Sequence, residues 1–305
     1  MYMPFCGTLD VHPTMPLEQA QTHLRELWVP PEDVAAQNMA YGPWGAEHAP
    51  KADKPFAFVH EKTHGVSPGY TVRDEEGREW SVKFGDEAPV EVLLSRVLSA
   101  VGYHQPPVYY VSHFQLADEK GTHDQGAARF RPKLKELKEL GDWSWQQNPF
   151  VGTKPYQGLL VILMMFNSSD LKNSNNSLYE YMPKQDTPQT WYVVRDLGTA
   201  LGETGKLTPR RNDPDLFGRH KFINGIDRDF VEFNYQGWHK ELFEGRVTTA
   251  DVVWAADLLG KLTETQWAEA FKSAGYEPDT AQAFIRVLKG RIDEGRHTGA
   301  SVSSR

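Results

Sequence analysis

The sequence predicts an α+β protein of two lobes, the first rich in β-strands and the second mainly helical. Three stretches carry that expectation. From Phe56 onward come short β-type segments around a hairpin signal, followed by one helix with an apolar stripe. Tyr156 to Phe166 is apolar enough to be a helix buried on all sides. From Thr248 the pattern is helical throughout the tail.

Residues 1–52 read as an N-terminal arm rich in proline and glycine, with one helical piece from Pro16 to Leu27. Trp28, Tyr41 and Trp44 suit an arm that packs onto the rest of the chain. The first lobe is expected over 53–114. Phe56–His60 is its first strand, Tyr70–Arg73 and Trp80–Phe84 flank the turn Asp74-Glu-Glu-Gly77, and Pro107–Ser112 is a further strand. Between them a helix opens at Asp86 as N-cap, carries Pro89 in its first turn, and stops at Gly102. The second lobe is expected over 115–298, with 299–305 a disordered tail. Within it, Pro132 to Leu140 reads as a helix, and Leu178–Met182 and Thr190–Asp196 as strands.

With 33 basic against 41 acidic side chains and a net charge of −8, sequence-independent nucleic-acid binding is not expected. The basic run from Arg129 to Lys135 reads as the start of a solvated helix face. Cys6 is the single cysteine, which excludes an internal disulfide framework and a thiolate metal cluster. No apolar run reaches the length of a bilayer span. The first residues lack a charged start followed by an apolar stretch, so the expectation is a cytoplasmic protein, with export left open should a start lie upstream. The histidines form no H-E-x-x-H, and no G-x-S-x-G appears, so neither a zinc hydrolase nor a serine hydrolase is suggested.

Phosphoryl transfer needs phosphate neutralisation, a magnesium site and a carboxylate that orients the attacking hydroxyl. Asp170-Leu-Lys172-Asn-Ser-Asn175 offers all three types directly after the buried helix. Asp170 would serve the acceptor hydroxyl, Lys172 the transferring phosphate, and Asn175 the metal through its side-chain oxygen. The second expected strand then ends in Asp196-Leu-Gly198, a carboxylate suited to a second metal contact beside a glycine that lets the chain turn. A polar loop whose side chains cap backbone groups fits Asp170 to Asn176 as well.

These residues resemble the protein-kinase-like superfamily, whose catalytic loop is H-R-D-x-x-x-x-N, often with lysine two after the aspartate, and whose metal motif is D-F-G. Asp170, Lys172 and Asn175 fall on the first pattern, and Asp196-Leu-Gly198 on the second. The resemblance implies a bilobal fold, ATP and Mg2+ as cofactors, and transfer of the γ-phosphoryl group to a hydroxyl-bearing acceptor, protein or small molecule. It makes Lys83 the phosphate-binding lysine, with Glu91 its partner on the next helix and Glu87 the weaker choice. Gly65, Ser67 and Gly69 lie where kinases place the phosphate-covering loop, although a plain hairpin turn fits them equally. Ser168 and Ser169 stand in place of the histidine and arginine, and no A-P-E follows. Those departures point to atypical members such as HipA-type and phosphoinositide-type kinases. A nucleotide-binding pseudokinase, an interaction protein and a kinase-fold AMP transferase are the alternatives.

Overall fold

The computed structural model describes residues 10–61, 68–184, 186–204 and 210–301. The chain enters through a short strand β1 (His12–Pro13) and helix α1 (Leu17–His23). The N-terminal lobe follows as β2 (Phe56–Glu61), β3 (Gly69–Arg73), β4 (Glu79–Phe84), helix α2 (Glu87–Ala100), β5 (Tyr109–Val111), β6 (Phe114–Asp118), β7 (Gly121–Gln125) and β8 (Ala128–Pro132). These strands form one seven-stranded sheet in the order β5-β8-β4-β3-β2-β6-β7. The sheet therefore continues through residue 132.

Strand alternation gives this sheet two unlike faces. Val72, Trp80, Val82 and Phe130 pair across β3, β4 and β8 and join Phe56 and Phe114 in an apolar core. The intervening residues Thr71, Ser81, Lys83, Arg129 and Arg131 share the opposite face. That face is covered by α2, whose buried residues include Glu91, Ser95 and Arg96 beside eight aliphatic ones. A helix buried nearly all round needs polar partners for its polar members, and Arg96 donates to the Val108 carbonyl at 2.7 Å. Asp86 sits at the N-cap of α2, but its side chain makes no capping hydrogen bond.

The second lobe comprises β9 (Leu137–Gly141), β10 (Gln147–Asn148), α3 (Lys154–Met165), β11 (Asn176–Tyr181), β12 (Gln189–Val194), α4 (Pro214–Arg219), β13 (Ile223–Asp227), β14 (Phe230–Phe233), α5 (Thr249–Leu259), α6 (Glu264–Ser273) and α7 (Pro278–His297). Helix α3 is its axis, buried from Pro155 to Met165. Thr153 accepts a hydrogen bond from the Tyr156 N–H and starts it, with Pro155 in the first turn. A glycine inside a helix costs about 1 kcal/mol relative to alanine. At Gly158 an added Cβ would stand 2.2 Å from the Trp254 ring, so the glycine permits α5 to pack closely on α3. Capping boxes at Thr248–Asp251 and Thr263–Gln266 start α5 and α6.

The helix expected over Pro132–Leu140 is not formed. The stretch holds the end of β8 and the strand β9, which pairs antiparallel with β11. Leucines three apart imitated a helical stripe, but Pro132 ends one strand and the exposed edge position of β9 suits alternating charge. The basic run is likewise not a solvated helix face, because Arg129 is buried on the inner face of the sheet.

The arm lies across both lobes. Trp28 donates to the Val101 carbonyl at 2.8 Å and packs edge-on against Trp254, while Trp44 donates to the Gln105 carbonyl at 2.9 Å. Gln266 and Ser273 donate to carbonyls of Val34, Gln37 and Met39. Tyr41 differs from the two tryptophans in staying exposed. Among the described residues no helix is long and apolar enough to cross a membrane.

Candidate active site

Lys83 is on β4, directly opposite Gly69 on one side and Arg129 on the other. Its amine is 2.6 Å from Asp196 Oδ1, 2.7 Å from Glu87 Oε2 and 3.7 Å from Glu91 Oε2. The first contact spans the cleft between the lobes and joins residues 113 apart in sequence. Glu87, expected to precede the helix, is instead the first residue of α2 and makes the tighter contact. Glu91 is shared: Arg129 Nε lies 3.1 Å from its Oε1. Burial opposes ionisation of Glu91, but Arg129 and Lys83 outweigh it and hold the carboxyl below its usual range. Burial also opposes ionisation of Asp196, and the charge and hydrogen bond of Lys83 overcome it in the same direction.

The loop after α3 begins with a helix ending in the Schellman form. Asn167 takes a left-handed conformation, φ 54°, while the Asn167 and Ser168 N–H groups donate to the carbonyls of Met164 and Leu163. The Asn167 side chain donates to the Gly202 carbonyl at 2.7 Å and accepts from Arg291 at 3.0 Å. The loop is thus fixed before it reaches Asp170. Lys172 Nζ is 2.9 Å from Asp170 Oδ1, and Lys172 is largely exposed. Asn175 Nδ2 donates to the Asp170 carbonyl at 2.9 Å, which leaves its Oδ1 with no hydrogen bond among the described residues.

Two backbone contacts seat this loop beside Asp196. The Arg195 N–H donates to the Asn175 carbonyl at 2.9 Å, and the Ser169 N–H to the Thr199 carbonyl at 3.2 Å. From the other side, Gln105 donates to the Val194 carbonyl and Trp143 to that of Val193. Lys83, Glu91 and Asp196 therefore form one contact group and Asp170, Lys172 and Asn175 a second, the two joined through the main chain.

Asp196 has φ 53°, a left-handed conformation that non-glycine residues seldom adopt. The strain sits on the aspartate, so Gly198 is not needed as the turning residue. Its requirement is space: a Cβ there would stand 2.5 Å from Glu87 Cβ and 3.0 Å from the Glu87 carbonyl oxygen. The first turn of α2 thereby presses directly on the segment bearing Asp196. Gly69 opens β3 as the cross-strand neighbour of Lys83, and Gly65 and Ser67 lie outside the described residues.

Arg129, Arg131, Arg195 and Arg211 belong to the same cleft and were not anticipated, and Glu87, the weaker of the two expected partners of Lys83, belongs to it as well. Arg195 donates to Glu139 at 2.5 Å, Ser177 at 2.7 Å and the Tyr179 hydroxyl at 3.0 Å, while Arg211 pairs with Glu87. Ala-Arg-Phe-Arg-Pro over 128–132 alternates apolar and polar residues, the strand pattern that locates both inner-face arginines.

The residues suit magnesium in kind. No group of three or more His, Cys, Asp or Glu side chains positioned for a metal occurs among the described residues. Magnesium is characteristically held by one or two protein oxygens with phosphates and water completing the octahedron, and Asp196 with Asn175 Oδ1 supplies that number.

An inner-face lysine is paired to a following helix and to a carboxylate at the end of a C-lobe strand. The fold is α+β, a β-rich lobe and a mainly helical lobe meeting at this lysine. No family model and no curated protein matches the sequence. Among solved structures, the Helicobacter pylori proinflammatory kinase CtkA is similar over 80% of this chain and 98% of its own, with 10% sequence identity and a TM-score of 0.49.

Proposed function

We propose that this chain is an ATP- and magnesium-dependent phosphotransferase of the atypical kinase type, acting on a hydroxyl-bearing acceptor. The observation that carries the reading is the Lys83–Asp196 contact at 2.6 Å across the cleft, beside a loop presenting Asp170 and Asn175. Lys83 would exchange part of its carboxylate shell for phosphate oxygens, keeping Glu91 or Glu87 as its orienting partner. Asp196 and Asn175 would hold magnesium, which when bound supplies charge neutralisation of the phosphates.

Asp170 would accept the proton of the acceptor hydroxyl as its oxygen bonds to the γ-phosphorus. The bond from that phosphorus to the β,γ-bridging oxygen breaks, and ADP leaves with the electron pair. Lys172, exposed and tethered to Asp170, would meet the transferring phosphoryl group. Gly65, Ser67 and Gly69 would cover the phosphates with backbone N–H groups.

The test is Asp196→Ala, with magnesium-dependent ATP turnover and thermal melting measured together. Turnover should fall at least 100-fold with the melting transition retained. Undiminished turnover in a folded variant would remove Asp196 from the metal site and the reading with it.

A further inference from the structure

The cleft contains more positive charge than its carboxylates pair. Lys83 meets Asp196, Glu87 and Glu91; Arg129 meets Glu91; Arg195 meets Glu139; Arg211 meets Glu87. Among the described residues of the cleft, Arg131 is the cation left over. It stands opposite Ser81, on the face shared with Arg129 and Lys83, and its guanidinium makes no hydrogen bond or ion pair among the described residues. Arg195 approaches the same region from the second lobe, one residue before Asp196. Burial, then the charges of Arg195 and Arg129, pull the Arg131 guanidinium down to about 10. Arg195 Nε is, in addition, a buried donor without a hydrogen-bond acceptor among the described residues. A buried donor left unmade costs about 1–3 kcal/mol, so this one beside an unpaired arginine calls for an acceptor.

We propose that Arg131 and Arg195, backed by Arg129, form a subsite for a phosphate group in the inner part of the cleft. Guanidinium forks bind phosphate through paired N–H donors, and an oxyanion would relieve the mutual repulsion of the three arginines. The subsite deepens the phosphotransferase reading and rests on it for the identity of the anion. It also changes what that reading asks of the cleft. This wall offers charge where a nucleobase would need an apolar surface, so the arginines face phosphate and the base lies elsewhere. The phosphate belongs either to the nucleotide chain or to a phosphorylated acceptor.

The experiment is calorimetric titration of the full chain with inorganic pyrophosphate in EDTA, using wild type, Arg131→Gln, Arg131→Lys and Asp196→Ala. Wild type should bind. Arg131→Gln should weaken binding roughly 10- to 100-fold, the loss expected for a charge-assisted contact. Arg131→Lys should fall between them, because it keeps the charge without the fork. Asp196→Ala should bind pyrophosphate at least as well as wild type, since it removes a negative charge. No binding to wild type, or equal affinity in Arg131→Gln, overturns the subsite. Should Arg131→Gln fail to melt cooperatively, Arg131→Lys decides: affinity equal to wild type overturns the proposal and weaker affinity supports it. Competition between ATP and pyrophosphate assigns the subsite to the nucleotide, and simultaneous binding assigns it to a phosphorylated acceptor. Loss of pyrophosphate affinity in Arg131→Gln alongside full ATP turnover in Asp196→Ala would keep the subsite and remove the magnesium reading. Lost turnover in Asp196→Ala with no effect of Arg131→Gln on pyrophosphate would do the reverse.

Discussion

Lys83 and Arg291 are both buried cations with several partners, yet the partners differ in kind. Arg291, on α7, donates to the carbonyls of Met165, Phe217 and His220 and to the Asn167 side chain at 2.6–3.0 Å, with its guanidinium 4.0 Å over the Phe217 ring. Every one of those partners is neutral and most are main chain. Lys83 meets carboxylates on α2 and on the Asp196 segment. A charge held by fixed dipoles has no reason to exchange partners. A charge shared among carboxylates from two lobes can give one up to an incoming phosphate or metal. The first arrangement secures a loop; the second suits a site.

The sharpest way to break this comparison is Arg291→Met. It would strand several buried acceptors and loosen the segment before Asp170, at an expected cost of about 4 kcal/mol. Denaturant melts should register that loss; a variant as stable as wild type would erase the distinction. Lys83→Met should invert the pattern. Stability should fall by only about 1–2 kcal/mol, since Glu91 keeps Arg129, while ATP turnover is lost. An intact turnover rate would end the role given to Lys83.

A pH series sharpens the contrast with a third basic group, one the fold keeps neutral. His104 stacks on Trp191 at 4.4 Å and donates to the Arg25 carbonyl, and burial brings its pKa down to about 4. The unfolded chain takes up a proton near pH 6.5 that the native state refuses until about 4. Stability should therefore decline as pH falls through that window, and His104→Phe should flatten the decline. The smallest effect is expected at the surface, where Lys133 pairs with Glu79 at 2.9 Å. Lys133→Ala should cost about 0.5 kcal/mol, measurable only by careful melts.

Much of this is legible in the sequence. Hairpin β3–β4, the stripe of α2 and the apolar α3 follow from local periodicity, which is the strongest signal a single sequence carries. The spacing of Asp170, Lys172 and Asn175 was visible because a loop's residues are close in sequence. What escaped depends on contacts between distant segments. Glu87 is the weaker choice on sequence because it lies before the expected helix proper, and its role appears only once Lys83 and Gly198 are brought alongside it. Arg129 and Arg131 were read as solvent-facing because charge suggests exposure, whereas the pairing of β8 with β4 turns both inward. Helix propensity in Lys-Leu-Lys-Glu-Leu was real but was overridden by the pairing of β9 with β11.

The arm has a consequence for how the chain is made. Val34 leaves the ribosome early, yet the amide of Gln266 that donates to its carbonyl comes 232 residues later. At about 5–20 residues per second, the two are separated by roughly ten to fifty seconds of translation. Throughout that interval Val34, Met39 and Trp28 must wait without the helices that shelter them, exposed to premature association. Closure of this strap therefore follows the synthesis of α6, and a chain arrested before α6 would carry this apolar segment uncovered.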